Sequence, residues 1–154
     1  MGDDGEAVMG MMEDRVPAMA GDDAPASELD SAERARAAGD FSTALALYDA
    51  TLCIYPDHVD ALAGRGAALR ALGRPHEALA PLIEALSRDP DHAEARLELP
   101  QALREDNRHA EARSLYALLL RAANAPAQAW HGLAMLCLSE GRDAVAEICL
   151  RRAV

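Results

Sequence analysis

The stretch VDALAGRGAALRALGRPHEALAPLIEALSRDPDH, residues 59–92, decides the fold. Its length of 34 residues is also the interval that separates four alanines along the chain: Ala44, Ala78, Ala112 and Ala146. Helix-turn-helix units of about 34 residues build one class of α-solenoid, in which stacked units share a continuous core. We therefore predict an all-α superhelix of about 3.8 such units, a fold that typically binds along a surface and rarely carries chemistry.

A helix breaker stands five residues before each of these alanines: Gly39, Gly73, Asn107 and Gly141. Glycine, and next best asparagine, adopts the left-handed conformation that ends a helix. Each breaker is therefore expected to divide its unit into two helices. The alanine that follows lets the two helices cross closely because it has almost no side chain.

A second boundary lies where Pro56 and Pro90 are each followed by Asp-His. Proline cannot continue a helix, so it is predicted to close the second helix of its unit. Asp57 and Asp91 are then expected to cap the next helix, with an acid three residues further on as in a capping box.

With these features the chain resembles the tetratricopeptide repeat (TPR) family. The residues that carry the resemblance in the second unit are Leu62, Gly66, Leu69, Ala78, Leu82, Ala85 and Pro90, and the fourth unit adds Trp130, Leu133, Ala134 and Ala146. The units cover about residues 25–58, 59–92, 93–126 and 127–154. The resemblance implies antiparallel helix pairs stacked in a right-handed superhelix, with the first helix of each pair lining a concave groove.

Several residues depart from the family pattern. Pro81 and Pro100 fall inside predicted helices, where proline removes a backbone hydrogen bond, and we expect bends there rather than breaks. Arg65 and Arg96 replace apolar residues, which predicts that their helices are less well buried than is usual in the family. Pro126 suits the first turn of the helix that follows it.

Composition agrees with a packed helical domain. The 154 residues are 51% hydrophobic and contain no lysine, which we interpret as the signature of a GC-rich bacterial genome. Cys53, Cys137 and Cys149 form no C-x-x-C pair and are predicted to be reduced core thiols of a cytoplasmic protein. The net charge of −11 argues against nucleic acid as a partner, and no segment is apolar enough to span a membrane.

The first 25 residues carry seven acids against one arginine. We expect residues 1–25 to be a flexible acidic leader and residues 26–154 to form the repeat domain. A second interpretation is that Val8, Met9, Met11, Met12 and Val16 form a short amphipathic helix that docks in the groove, since methionine adapts to irregular surfaces.

Three arginines share one register of the repeat: Arg36, Arg70 and Arg104. On the family's geometry they form a ladder along the groove, suited to carboxylates or carbonyls of an extended peptide. The alternative is that nearby acids neutralise them or that water solvates them. The other predicted groove residues are Glu94, Leu97, Gln101, Gln128, His131, Met135 and Leu138. A chaperone-tail clamp is rejected because the chain has no lysine and Ala63 and Ala67 stand at clamp positions.

No catalytic or metal-binding pattern is complete. His76-Glu77 begins like H-E-x-x-H, but Ala80 occupies the place of the second histidine. His58 and His92 lie a full repeat apart, too far to share an ion. We therefore predict no enzyme activity, no cofactor and no metal.

Val154 falls within the predicted second helix of the fourth unit, with no capping helix after it. In order of preference, the chain is a fragment of a larger protein, self-associates through this end, or tolerates the exposure because the last helix is polar. The leading functional hypothesis is a protein-interaction scaffold that holds a partner segment in the groove. The alternatives are a recruiting array of a larger bacterial enzyme, such as a glycosyltransferase or sulfotransferase, and a secretion-type TPR chaperone.

Overall fold

The computed structural model describes residues 24–154, which form eight α-helices. They are α1 (Ala24–Ala37), α2 (Phe41–Ile54), α3 (Val59–Ala71), α4 (Pro75–Arg88), α5 (Ala93–Glu105), α6 (His109–Leu119), α7 (Ala127–Ser139) and α8 (Asp143–Ala153). Consecutive helices pair into four antiparallel hairpins, as the 34-residue period predicts. The all-α helical repeat is therefore confirmed. Most of the predicted leader, residues 1–23, and its predicted docking lie outside the described residues.

The four predicted breakers all take the left-handed conformation. The φ angles are +81° at Gly39, +73° at Gly73, +63° at Asn107 and +70° at Gly141. At the second hairpin, the Gly73 N–H donates to the carbonyl of Arg70 at 2.9 Å, so the end of α3 is closed by backbone hydrogen bonds. Asn107 is the one non-glycine among them, and asparagine tolerates this conformation better than other side chains.

The four periodic alanines lie at the crossings of the helix pairs. Ala44, Ala78, Ala112 and Ala146 are all fully buried. Because the methyl group is the whole side chain, the two backbones of each hairpin approach closely there. The period thus marks the closest packing inside each unit.

Histidines, and not the predicted aspartates, cap α3 and α5. The Nδ1 of His58 accepts a hydrogen bond from the N–H of Ala61 at 3.4 Å, and His92 does the same for Ala95 at 3.2 Å. Each proline closes the preceding helix as expected, but the capping-box prediction for Asp57 and Asp91 was wrong. A single residue, Asp57 or Asp91, lies between the proline and the cap, so the cap position falls on the histidine, whose Nδ1 can accept the hydrogen bond.

The two internal prolines do not interrupt their helices. Pro81 lies inside α4 and Pro100 inside α5, and both side chains are buried. The rings therefore serve as apolar packing groups, while each helix loses one backbone donor. Pro126 is the N-cap of α7, one position before the predicted first turn.

Two glycines make room for the largest buried side chains. A Cβ added to Gly64 would lie 2.6 Å from Tyr48 Oη, and one added to Gly132 would lie 2.5 Å from Tyr116 Cζ. Each glycine is in the first helix of the unit that follows its tyrosine. The rings thereby lock neighbouring units together.

The first helices of the units contact one another, α1 with α3, α3 with α5 and α5 with α7, whereas no two second helices meet within residues 24–154. The array therefore curves with its first helices on the inner, concave side and its second helices on the outer, convex side. This is the arrangement that the resemblance implies.

The cysteines are free thiols in two environments. Cys137 and Cys149 are buried together between α7 and α8, and burial raises the pKa of Cys149. Cys53 is exposed on α2, so the prediction that all three are core thiols was wrong at this position.

Candidate functional site

A cleft of about 700 Å³ opens on the concave side between α5 and α7. We call it the concave cleft. Its walls also include one residue of α3 and the end of the chain around α8. The lining residues are Arg70, Gln101, Arg104, Glu105, Ala127, Gln128, His131, Gly132, Met135, Leu150, Ala153 and Val154.

Six of the predicted groove residues meet in this cleft: Arg70, Gln101, Arg104, Gln128, His131 and Met135. They come from three successive first helices, which is why residues far apart in sequence share one wall. The amides and the imidazole can each donate and accept hydrogen bonds, and Met135 adds an adaptable apolar surface. The cleft can therefore hold both the backbone and an apolar side chain of a bound segment.

The remaining predicted groove residues lie elsewhere. Leu97 packs against the core and borders a separate depression beside the turn before α7. Leu138 is exposed near the end of α7, outside the cleft lining. Arg36 and Glu94 form an ion pair with each other that connects α1 to α5.

Arg36, the first arginine of the predicted ladder, is held by two acids. It contacts Glu33 of its own helix at 2.5 Å and Glu94 of α5. Burial alone would lower the pKa of Arg36, but the hydrogen bonds to Glu33 and Glu94 outweigh it and raise the pKa. This guanidinium therefore already has two carboxylate partners within the chain.

Arg70 is held in the same way. Its Nε donates to Glu98 at 2.6 Å and its Nη1 to Glu105 at 3.1 Å. Two of the three arginines thus have two carboxylate partners each, so a ligand carboxylate would have to displace one of them. For Arg36 and Arg70, these ion pairs agree with the alternative that nearby acids neutralise the arginines.

Arg104 differs from the other two. Its only carboxylate partner in the described part of the chain is Glu105, at 3.1 Å, and Glu105 is shared with Arg70. The position that holds Glu33 in the first unit holds Gln101 in the third, which removes one acid. The Nε of Arg104 is buried and has no hydrogen-bond partner among residues 24–154.

Tyr116 lies beside Arg104. Its hydroxyl is buried and unpartnered within the described residues. Burial raises the pKa of Tyr116, and the neighbouring Arg104 partly offsets this. An unpaired polar group in the interior is costly, and Tyr116 does not itself line the cleft.

The contribution of α8 to the cleft was not predicted from the sequence. Leu150 and Ala153 close the lower end of the cleft, although the family's geometry assigns the groove to first helices only. The spacing of Leu150, 34 residues after Tyr116, could have indicated a residue that faces the same side.

The helices of residues 24–154 are all too short or too polar to cross a membrane. That part of the chain also contains no cluster of three His, Cys, Asp or Glu side chains suited to a metal ion. His58 and His92, which share the Pro-Asp-His turn, each cap a different helix.

Three family models described as "Tetratricopeptide repeat" match the chain, at residues 29–82, 69–136 and 127–154. Together they cover residues 29–154. One curated relative, the TPR repeat-containing thioredoxin TTL4 of Arabidopsis thaliana, is 39% identical over 61 residues. The match covers 40% of this chain and only 9% of the plant protein.

Solved structures share the fold at low identity. MamA residues 41 to the end from Desulfovibrio magneticus RS-1 superposes with a TM-score of 0.74 and 17% identity, covering 86% of this chain and 75% of that one. The Sgt2 TPR domain from Aspergillus fumigatus gives a TM-score of 0.58 and 20% identity, covering 84% and 76%. At these identities the likeness concerns the architecture of the helices.

Proposed function

Because the chain belongs to the tetratricopeptide repeat family, we propose that it is a non-catalytic scaffold that holds a segment of a partner protein in the concave cleft. The observation that carries the proposal is the composition of the cleft wall. Gln101, Gln128 and His131 project from two neighbouring first helices into one open cavity. Side chains that donate and accept hydrogen bonds match the amide groups of a peptide backbone.

The charges of the cleft support a neutral segment over an acidic one. Arg70 and Arg104 are balanced there by Glu98 and Glu105. A carboxylate entering the cleft would compete with acids that are already in place. A partner backbone with an apolar side chain does not face that competition.

The apolar anchor of the partner would rest at the lower end of the cleft. Met135 and Leu150 are each 38% exposed and line the same cavity. A partner side chain that covers them removes apolar surface from water, which is the main favourable term in association. The side-chain amides of Gln101 and Gln128 then fix the direction of the bound segment.

Site-directed photocrosslinking in a bacterial lysate tests the proposal. A photoreactive phenylalanine analogue replaces His131 in the cleft or, as a matched control, Glu147, which is exposed on α8 and does not line the cleft. We expect a discrete adduct from position 131 and none from position 147. Equal adducts from both positions, or adducts from position 147 alone, would contradict binding in the cleft.

The predicted arginine ladder has its own test. Arg36, Arg70 and Arg104 are changed together to alanine, and the affinity for the crosslinked partner is measured. Unchanged affinity removes the ladder as a binding element while leaving the cleft intact. A loss that Arg104→Ala alone reproduces would assign the effect to the least neutralised of the three.

Three further assignments are part of the proposal. Residues 26–154 act as the binding domain, and residues 1–25 act as an acidic leader. The free thiols of Cys137 and Cys149 suit a reducing compartment such as the cytoplasm. Self-association through α8, where Ile148 is exposed, is tested by measuring mass in solution across concentrations.

A further inference from the structure

An apolar groove runs along the convex side, between α4 and α6, with α5 as its floor. We call it the convex groove, and its apolar residues are Ile83, Leu86, Leu99, Leu115, Leu118 and Leu119. Two adjoining depressions of about 310 and 320 Å³ form it, and they share Leu99 and Leu115. It lies on the opposite side of the array from the concave cleft, so its ligand would be distinct.

The repeat supplies an internal comparison for this groove. The corresponding groove one unit earlier lies between α2 and α4. The positions of Ile83, Leu99 and Leu118 are occupied there, 34 residues earlier, by Asp49, Arg65 and Glu84. Arg65 Nε donates to Asp49 at 2.6 Å, so an ion pair lines the earlier groove at the positions of Leu99 and Ile83.

This comparison separates what the fold requires from what the convex groove adds. The equivalent helices one unit earlier carry charged residues at these positions, so the fold does not require apolar residues there. Yet Ile83 and Leu118 remain 52% and 57% exposed. Large apolar side chains that stay half-exposed beside an apolar groove, where charged residues stand one unit earlier, point to an interaction surface.

The size of the surface argues against a second copy of the chain as its occupant. Stable interfaces bury roughly 800 Å² on each partner. The convex groove offers two half-exposed side chains above a narrow slot, which is the scale of a single short segment. α4 has 14 residues, so a helix laid along it would have about four turns.

The charge of the protein determines which kind of helical segment would bind most favourably. The rim is balanced, because Asp91 pairs with Arg96 and Glu111 pairs with Arg108. The whole chain, however, carries a net charge of −11, and its first 25 residues alone carry seven acids against one arginine. Long-range repulsion therefore opposes a second copy and the acidic leader, and attracts a basic segment.

We propose that the convex groove binds a short amphipathic helix of another protein, with an apolar stripe flanked by arginine or lysine. The stripe would cover Ile83 and Leu118, and the basic flanks would lie in the negative field of the domain. Helices that dock in grooves in this way present apolar residues at positions i, i+3, i+4 and i+7.

The test uses a defined probe and full-length protein. The probe is a fluorescein-labelled helical peptide with leucines at that spacing and arginines on both flanks, and binding is followed by fluorescence anisotropy at physiological salt. The variant carries I83D and L118E, which place in the convex groove the residues that occupy the same register one unit earlier. We expect its affinity for the probe to fall at least tenfold, with the helical circular dichroism unchanged because both positions are exposed.

Two controls make the result specific. A variant with Q128A and H131A changes the concave cleft and should bind the probe as the wild type does, so failure of the proposed function leaves this test intact. A probe of the same apolar pattern with glutamates on its flanks should bind several-fold more weakly. Equal binding of the arginine probe by the wild type and the I83D/L118E variant would overturn the proposal.

Other occupants give different results. If wild-type protein dimerises in sedimentation velocity and the I83D/L118E variant stays monomeric, a second copy occupies the groove and the proposal fails. If replacing Met9 and Met12 by aspartate in the full chain raises the affinity for the probe tenfold, the leader occupies the groove, and the proposal fails equally.

Discussion

The hydroxyl of Tyr48 donates a hydrogen bond to Glu33 at 2.6 Å, which ties α2 to α1 inside the first unit. Tyr116 occupies the same position two units later, but Gln101 replaces the acid, and its buried hydroxyl has no partner among residues 24–154. Two tyrosines in one register thus differ in a single interaction.

This difference predicts unequal costs for removing the two hydroxyls. Tyr48→Phe should lower the free energy of unfolding by about 1.5–3 kcal/mol, because it breaks a hydrogen bond to a charged group. Tyr116→Phe should be neutral to within about 0.5 kcal/mol or slightly stabilising, since it removes an unpaired polar group. Urea denaturation followed by circular dichroism measures both. Equal losses would show that Tyr116 has a partner in solution.

A pH dependence follows from the same bond. Burial, with the hydrogen bond to Glu33, raises the pKa of Tyr48 above its ordinary value of 10.0. The folded state therefore holds this proton more tightly than the unfolded state, so the stabilisation is complete below about pH 10 and is lost as the pH rises further. We expect the stability of the wild type to fall more steeply above that pH than the stability of Tyr48→Phe. Parallel curves would contradict the assignment.

Gly132 should tolerate no side chain. An added Cβ would meet the ring of Tyr116, so Gly132→Ala should cost about 1–3 kcal/mol by overpacking. Combining it with Tyr116→Leu removes the ring and should cost less than the sum of the two single changes. Additive costs in that double-mutant cycle would indicate that the glycine is needed for another reason.

At the left-handed turns, a substitution can be costly through backbone conformation alone, without any steric contact. At Gly73 an added Cβ would meet nothing within 4 Å, yet φ is +73°. Gly73→Ala should therefore cost about 1–2 kcal/mol through backbone strain alone. Gly73→Asn, which copies the residue found at 107, should cost less. If both substitutions lower the midpoint of thermal unfolding equally, the left-handed conformation is not what the position selects.

His92 makes two contacts, the cap of α5 and a contact with Asp60, and different substitutions can remove one without the other. His92 accepts from the N–H of Ala95 through Nδ1, and its Nε2 lies 2.9 Å from Asp60 in the preceding unit. His92→Ala should cost about 1 kcal/mol, whereas His92→Asn should retain most of the cap and lose only the contact with Asp60. Equal unfolding free energies for the two variants would show that capping contributes nothing.

The repeat was predictable from the sequence because the same residue types recur at the same positions in every unit. A glycine or asparagine at one position is ambiguous, but four at 34-residue spacing determine where every hairpin turns. Six cleft residues were predicted because the resemblance to the family implies that first helices line the groove. The caps were not predicted, because histidine at the start of a helix is a weaker signal than the aspartate beside it.

What escaped prediction depends on contacts between units. The alternative that nearby acids neutralise the arginines was open from the sequence, but the pairing of Arg36 with Glu94 spans 58 residues, which is no multiple of the repeat, so periodicity could not indicate which acid pairs with which arginine. The convex groove was missed for a related reason, since Ile83 and Leu118 lie in different helices and border one groove only when units stack. The 34-residue period predicts which residues occupy the same position in different units. It does not predict which residues of different units come into contact, because that depends on how the units stack.

The ion pair between Arg36 and Glu94 has a thermodynamic consequence. It reaches from the first unit to the third, past the second. In a solenoid whose units touch only adjacent units, the ends fray independently and stability is a sum of local and nearest-neighbour terms. A bond that skips a unit adds a next-nearest-neighbour coupling, so melting of the first hairpin also removes a restraint on the third.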